Sequence, residues 1–150
     1  MPNLYPTVTT STTPETAKTA SQVKFGKGWR FDFGKGDFVW TPIKRMAEAE
    51  GIDAFAEWCQ KTLLTQRYRY LIYSRSYGSE FEDLIGQGMS REAQENEIKR
   101  MTSEALLTDP RTGRVDNFSF NWEEDAVSFS FDVTSARGES TRLTTKVVTS

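Results

Sequence analysis

Hydrophobic and polar positions change period along the chain, and the changes mark out its elements. Trp29, Phe31 and Phe33 alternate with Arg30 and Asp32, a period of two that predicts a strand. Gly34-Lys35-Gly36 permits a tight reversal, Phe38 and Trp40 resume the alternation, and Pro42 ends it, so the region reads as an N-terminal β-hairpin. At Gly51-Ile52-Asp53 the pattern breaks, with Asp53 placed to cap a helix. Phe55, Trp58, Cys59, Thr62 and Leu63 then fall at helical spacing, which predicts a helix from about Ala54 to Thr65. A second helix is expected from about Arg91 to Leu107, capped by Ser90. Ala93, Ile98, Met101 and Ala105 share its apolar side, and Glu92, Glu95, Glu97, Lys99 and Arg100 lie on a solvated one. Asp109-Pro110-Arg111 stops it.

Period two returns in the C-terminal third. Phe118, Phe120 and Trp122 form one strand, Val127, Phe129, Phe131 and Val133 the next, and Leu143, Thr145 and Val147 the last. Glu123-Glu124-Asp125 and Arg137-Gly138-Glu139 supply the turns. Consecutive strands joined by short turns predict an antiparallel meander. The fold class is α+β, with helices packed on one face of that meander. Residues 1–21, rich in Thr with Pro2, Pro6 and Pro14, bury too little to form a core. They read either as a disordered terminus or as an extended arm that orders along a partner, ahead of a single domain from 22 to 150.

Between the two helices lies YLIYSRSYGSEFEDLIGQG, Tyr70 to Gly88. Ser79 followed by Glu82 has the spacing of a capping box, in which hydroxyl and carboxylate satisfy each other's backbone amides. Phe81, Leu84 and Ile85 would form the buried face of a short helix, with Gly86 as its left-handed stop. Gly78 marks a backbone angle or a close approach that a side chain would forbid.

Composition narrows the chemistry. The chain of 150 residues is 13% aromatic and has a formal net charge of -2, which gives no global attraction to nucleic acid or an anionic membrane. Cys59 is the one cysteine and lies on a helix's apolar stripe, where a buried, inert thiol is expected, and a reducing compartment fits. The start of the chain has no apolar core for a signal peptide, and no segment approaches the roughly 20 apolar residues of a membrane span. Histidine is absent, which removes Ser-His and Cys-His catalysis and the commonest metal ligand. Glu80, Glu82 and Asp83 could act as an acid–base pair, but Glu82 has the capping position, and acids in a helix's first turn suit its dipole, which favours a structural role. Arg67, Tyr68, Arg69, Tyr70, Tyr73, Arg75 and Tyr77 interleave cations and rings, as a single-strand nucleic-acid binder would. The same residues suit an element end with half-buried tyrosines. No cofactor or metal is called for. The residues alone leave the function open between an interaction module and an unrecognised enzyme.

The stretch LLTQRYRYLIYSRSYGSEFEDLIG, Leu63 to Gly86, resembles the signature of the XkdS-like phage tail proteins, which belong with the small baseplate wedge proteins, or sheath initiators, of contractile tails. The shared pattern is a basic loop, an aromatic-Gly-Ser corner and an amphipathic helix, here Arg75, Tyr77, Gly78, Ser79, Phe81, Leu84 and Ile85. A helix, an acidic-Pro-Arg motif (Asp109, Pro110, Arg111) and a β-meander follow. FDFGKGDFVWT and the helix with EWCQKTLLT also fit. The wider group favours Glu-Pro-Arg, whereas this chain has Asp109, with Thr112-Gly113 before the strand. The resemblance spans about Trp29 to Val133. It implies a structural role in the baseplate of a phage tail or tail-like particle made in a bacterial host. The partners would be larger wedge proteins and sheath subunits, arranged as multiple copies in a ring, with neither nucleic acid nor membrane. Arg75, Tyr77, Asp109, Pro110 and Arg111 are the implied partner contacts, together with Arg142, Leu143, Thr145 and Val147 on a last strand that would accept a neighbour's strand. The rival readings are a peptidoglycan hydrolase built on the acidic corner and a nucleic-acid module built on the Arg/Tyr run.

Overall fold

In the computed structural model, residues 23–148 are described, so the expected arm, residues 1–21, lies outside them. The predicted α+β architecture is present. A three-stranded antiparallel meander, β5 (Thr112–Trp122), β6 (Ala126–Ser135) and β7 (Ser140–Val148), carries α1 (Gly51–Leu64) and α2 (Arg91–Leu107) on its apolar face. The register is Phe129↔Thr145 and Phe131↔Leu143 on one side of β6, and Phe120↔Phe129 on the other. Because side chains alternate across a strand, this puts Val127, Phe129, Phe131 and Val133 of β6 in one buried row with Leu143 and Val147. Phe55, Cys59 and Leu63 of α1 and Ile98, Met101, Ala105 and Leu106 of α2 close over them. Burial pushes the Cys59 thiol up to about 12, so it packs as an apolar group.

The register of β5 shifts between Asp116 and Ser119, where Asn117 adopts a φ of 54°. This bulge keeps Phe118 on the core side, its ring 5.5 Å from that of Phe131. β5 also begins at Thr112, directly after Arg111, earlier than the sequence suggests.

The N-terminal hairpin is present in reduced form. β2 (Phe31–Asp32) pairs with β3 (Asp37–Phe38) around the Gly34–Gly36 reversal, but Trp29 belongs to β1 (Lys27–Trp29), which pairs with β4 (Glu48–Glu50). The alternating aromatics of this region do not build the core: Trp29, Phe38 and Trp40 are exposed. The expected cap of α1 is corrected as well. The helix starts at Gly51, whose φ is 57°, and the cap position is Glu50, which makes no side-chain capping bond. Asp53 sits inside the first turn and accepts from Arg30 Nη2 at 2.6 Å. Ser90 does cap α2, accepting from the Ala93 amide at 3.3 Å.

The other face of the meander is polar. Asp132 accepts from Asn117 Nδ2 and Arg142 Nη1, both at 2.9 Å, and these hold its carboxyl below the ordinary 3.8. Lys146 and Ser128 likewise hold Glu123 below 4.5. Both carboxyls are depressed in the folded chain, so the stability they add is complete above those ordinary values and is lost as pH falls through the lowered folded ones. Both lie on the open polar face, where solvent screens them, so the effect is small. Melting midpoints scanned into acid should fall less steeply for Asp132→Asn than for wild type below about pH 4. Identical acid limbs would count against this assignment.

Candidate functional site

The corner is built differently from a capping box. Ser79 Oγ does not reach the Glu82 amide; it donates to Leu63 O at the end of α1, at 2.7 Å. The reason is tertiary: the last carbonyls of α1 lack helical partners, and a buried hydroxyl beside them is best satisfied there. The Ser79 amide donates to Thr65 O and the Arg67 amide to Ser79 O, both at 2.9 Å. Gly78 is needed twice. Its φ is 104°, and a Cβ there would lie 2.7 Å from Thr65 O and 2.9 Å from Arg67 N. After the corner comes a short 3-10 helix, Phe81–Leu84. Phe81 and Leu84 are buried as expected, but Ile85 is exposed and Glu82 points to solvent.

This corner closes a long loop, and Arg67 locks its neck. The side chain is only 7% exposed, and its Nη1 lies 3.4 Å from Glu80 and 3.3 Å from Glu104. One wall of the loop is a run of rings. Tyr70 meets Tyr73 at 6.2 Å, Tyr73 meets Tyr77 at 4.5 Å, and Tyr77 meets Trp58 of α1 at 6.3 Å between centroids. Arg75 is exposed at the far end. The Arg/Tyr run is therefore not a uniform strip: Arg67 is consumed by carboxylates, and Tyr73 and Tyr77 by each other and Trp58. The sequence places Arg67 in the Arg/Tyr run but hides its structural role, because Glu104, one of its partners, is remote along the chain.

The Asp109-Pro110-Arg111 motif is an internal clamp. Arg111 Nε and Nη2 each donate to Asp109 at 3.0 Å, and Nη1 donates to Phe25 O at 3.1 Å. Its guanidinium carbon lies 5.0 Å from the Trp58 ring centre. Arg137 adds a second tie, donating to Val23 O at 2.8 Å and stacking on Phe25 at 4.3 Å. Aspartate is long enough here because the pair is side-on and adjacent. Arg111, implied by the resemblance as a partner contact, thus makes its charge-assisted bonds within its own chain.

β7 is the last strand of the sheet. The Ser135 amide donates to Glu139 O, which continues the β6–β7 register and fixes the phase of the ladder. Alternation then turns the main-chain groups of residues 141, 143, 145 and 147 towards β6 and those of residues 140, 142, 144, 146 and 148 outward. Leu143, Thr145 and Val147 are buried in the chain's own core, so their side chains are spoken for. Arg142 and Lys146 lie on the opposite, polar face, bonded to Asp132 and Glu123. Beside β7 a groove of about 330 Å³ is lined by Leu63, Phe81 and Val147, with Leu64, Ile85 and Val148 exposed at its rim. A larger groove of about 490 Å³ lies between α1 and the N-terminal strands, lined by Phe25, Trp29, Phe31, Phe38, Glu57 and Trp58.

Glu80 is tied to Arg67, and of the acidic corner only Glu82 lines the groove. Among the described residues no cluster of His, Cys, Asp and Glu could hold a metal ion, and no helix is long and apolar enough to cross a membrane.

The phage-like element PBSX protein XkdS of Bacillus subtilis (strain 168) is 34% identical over 89 residues, 59% of this chain and 63% of that protein. The match thus spans less than two thirds of the relative's length. Among solved structures, the chain resembles one in the six-fold symmetrised cryo-EM structure of the anti-feeding prophage baseplate. The TM-score is 0.51 at 14% identity, covering 83% of this chain and 86% of that one, a likeness of fold. The family model of the contractile injection system sheath initiator matches residues 27–138, from β1 through the end of β6 and its turn. The chain belongs to the contractile injection system sheath initiator family.

Proposed function

We propose that this protein is a structural component of the baseplate of a contractile phage tail or tail-like particle, joining wedge proteins and starting the sheath by lending the open edge of β7 to a sheath subunit's strand. The observation that carries the reading is the outward phase of residues 140, 142, 144, 146 and 148 on a terminal strand whose other side is fully paired. Such an edge is a hazard in a free molecule and a template in an assembly. Main-chain bonds would supply affinity, and the groove floored by Phe81 and Val147 would receive one apolar side chain of the incoming strand.

The ladder phase sets the test. Val147→Pro would remove an amide that serves β6 and would also disturb the core, so its failure would be ambiguous. Lys146→Pro removes an outward amide only. Purified Lys146→Pro protein should melt close to wild type, apart from the loss of the Lys146–Glu123 contact, while Val147→Pro melts several degrees lower. Particles carrying Lys146→Pro should contain baseplates but few sheaths by electron microscopy. Normal sheath numbers would sink strand addition at this edge. The hydrolase and nucleic-acid readings gain nothing from the acidic corner or from the committed tyrosines.

A further inference from the structure

The loop between α1 and the corner ends in a bare aliphatic tip. Leu71 is 103% exposed, Ile72 86% and Tyr70 50%. A slack loop would fold such side chains against the surface, because burying each one is favourable. This loop cannot. Its neck is fixed by the Thr65, Arg67 and Ser79 amide bonds, by the left-handed Gly78 and by the buried Arg67 between Glu80 and Glu104. Its wall is fixed by Tyr73 and Tyr77 against Trp58. Tyr68 is itself held at a φ of 66°, a conformation unfavourable for a ring-bearing residue. The fold therefore holds Leu71 and Ile72 out in water.

The charges around the tip have one sign. Arg69 donates to Gln66 and lies over Tyr70, and Arg75 is exposed; among the described residues no carboxylate pairs with either. Of the acids at the loop's end, Glu80, next to the corner, is engaged by Arg67. We propose that Tyr70, Leu71 and Ile72 form an anchor that docks into an apolar recess with an acidic rim on a neighbouring protein subunit. The aliphatic pair supplies the buried contact, and the two arginines set orientation and association rate. Fixing the loop beforehand removes the ordering cost that a mobile anchor would carry. A bilayer fits less well, since two side chains give weak insertion and a net charge of -2 gives no attraction to anionic lipid. The proposal rests on the chain being part of an assembly, and is independent of strand addition at β7.

The test uses assembled particles. With Leu71 replaced by the photo-crosslinker p-benzoylphenylalanine, irradiation should join this chain to an apolar peptide of another baseplate subunit that has Asp or Glu beside it. Adducts only to lipid, or only within this chain, would overturn the proposal. The double variant Leu71→Ser, Ile72→Ser should melt as wild type does, yet its incorporation into purified particles, measured by mass spectrometry, should fall at least about tenfold. Incorporation at the wild-type level would overturn the anchor. Arg75→Glu should reduce incorporation more at low than at high salt; a salt-independent effect would remove the acidic rim. Flotation of the protein with phosphatidylcholine–phosphatidylglycerol vesicles, lost in the double variant, would replace the protein partner with a bilayer. Lys146→Pro separates this from sheath initiation. An anchor defect keeps the chain out of the baseplate, whereas an edge defect leaves it in place without a sheath.

Discussion

Gly78→Val should lower the melting midpoint by on the order of 10 °C. Two costs coincide at this position. The φ of 104° is unfavourable for any residue with a Cβ, and that atom would stand 2.7 Å from Thr65 O and 2.9 Å from Arg67 N. Both neighbours are main chain and hydrogen-bonded to Ser79, so they cannot yield without opening the neck of the loop. Together these predict a loss of roughly 3 kcal/mol. Gly78→Ala should lose most of the same amount, because the clash belongs to Cβ rather than to the branches of valine. By contrast, Glu82→Gln should be neutral, since Glu82 caps nothing. Thermal unfolding followed by circular dichroism distinguishes these outcomes. A Gly78→Ala midpoint equal to wild type would mean that the corner relaxes freely.

Arg111→Ala is the second large effect, and it falls on the fold rather than on assembly alone. The substitution leaves the Asp109 carboxylate, 17% exposed, without its guanidinium. It also releases Phe25 O and uncovers Trp58 and Phe55. Removing one partner of a largely buried pair predicts a loss of about 2–3 kcal/mol, discounted from the fully buried case for the water that remains. Arg111→Lys should fall between the two, because an ammonium cannot span both oxygens of Asp109 and also reach Phe25. An Arg111→Ala protein as stable as wild type would show that the clamp adds nothing, and would return the motif to the surface as a partner contact.

Much of the fold was legible because it is written at short range. Alternation at Phe118–Trp122, Val127–Val133 and Leu143–Val147 gives the meander, and Ser90 before an amphipathic run gives the start of α2. The misreadings share a cause. Ser79 and Glu82 have capping-box spacing, but an orphan carbonyl of α1 competes for the hydroxyl. Asp53 has cap chemistry, but Arg30 on a neighbouring turn of chain takes its carboxylate inside a helix that has already begun. The alternating aromatics at Trp29, Phe38 and Trp40 read as strands of one hairpin, yet Trp29 pairs with β4 and all three rings are exposed. β4 escaped notice because Glu48-Ala49-Glu50 contains a single small apolar residue. In the candidate site, the Asp109–Arg111 pair could be read locally, whereas its bond to Phe25 could not, since the two segments are far apart in the chain.

The bulge in β5 has a bearing on how many neighbours the sheet can recruit. A meander has two outer strands, and two straight edges would make each molecule bivalent, able to chain with its own kind into fibres. Here the register breaks at Asp116–Ser119, so β5 is kinked along its outer side, while β7 pairs without interruption from Ser140 to Val148. Under the strand addition proposed for β7, the molecule would be monovalent. Such a unit can seed a polymer of other subunits without being able to polymerise itself.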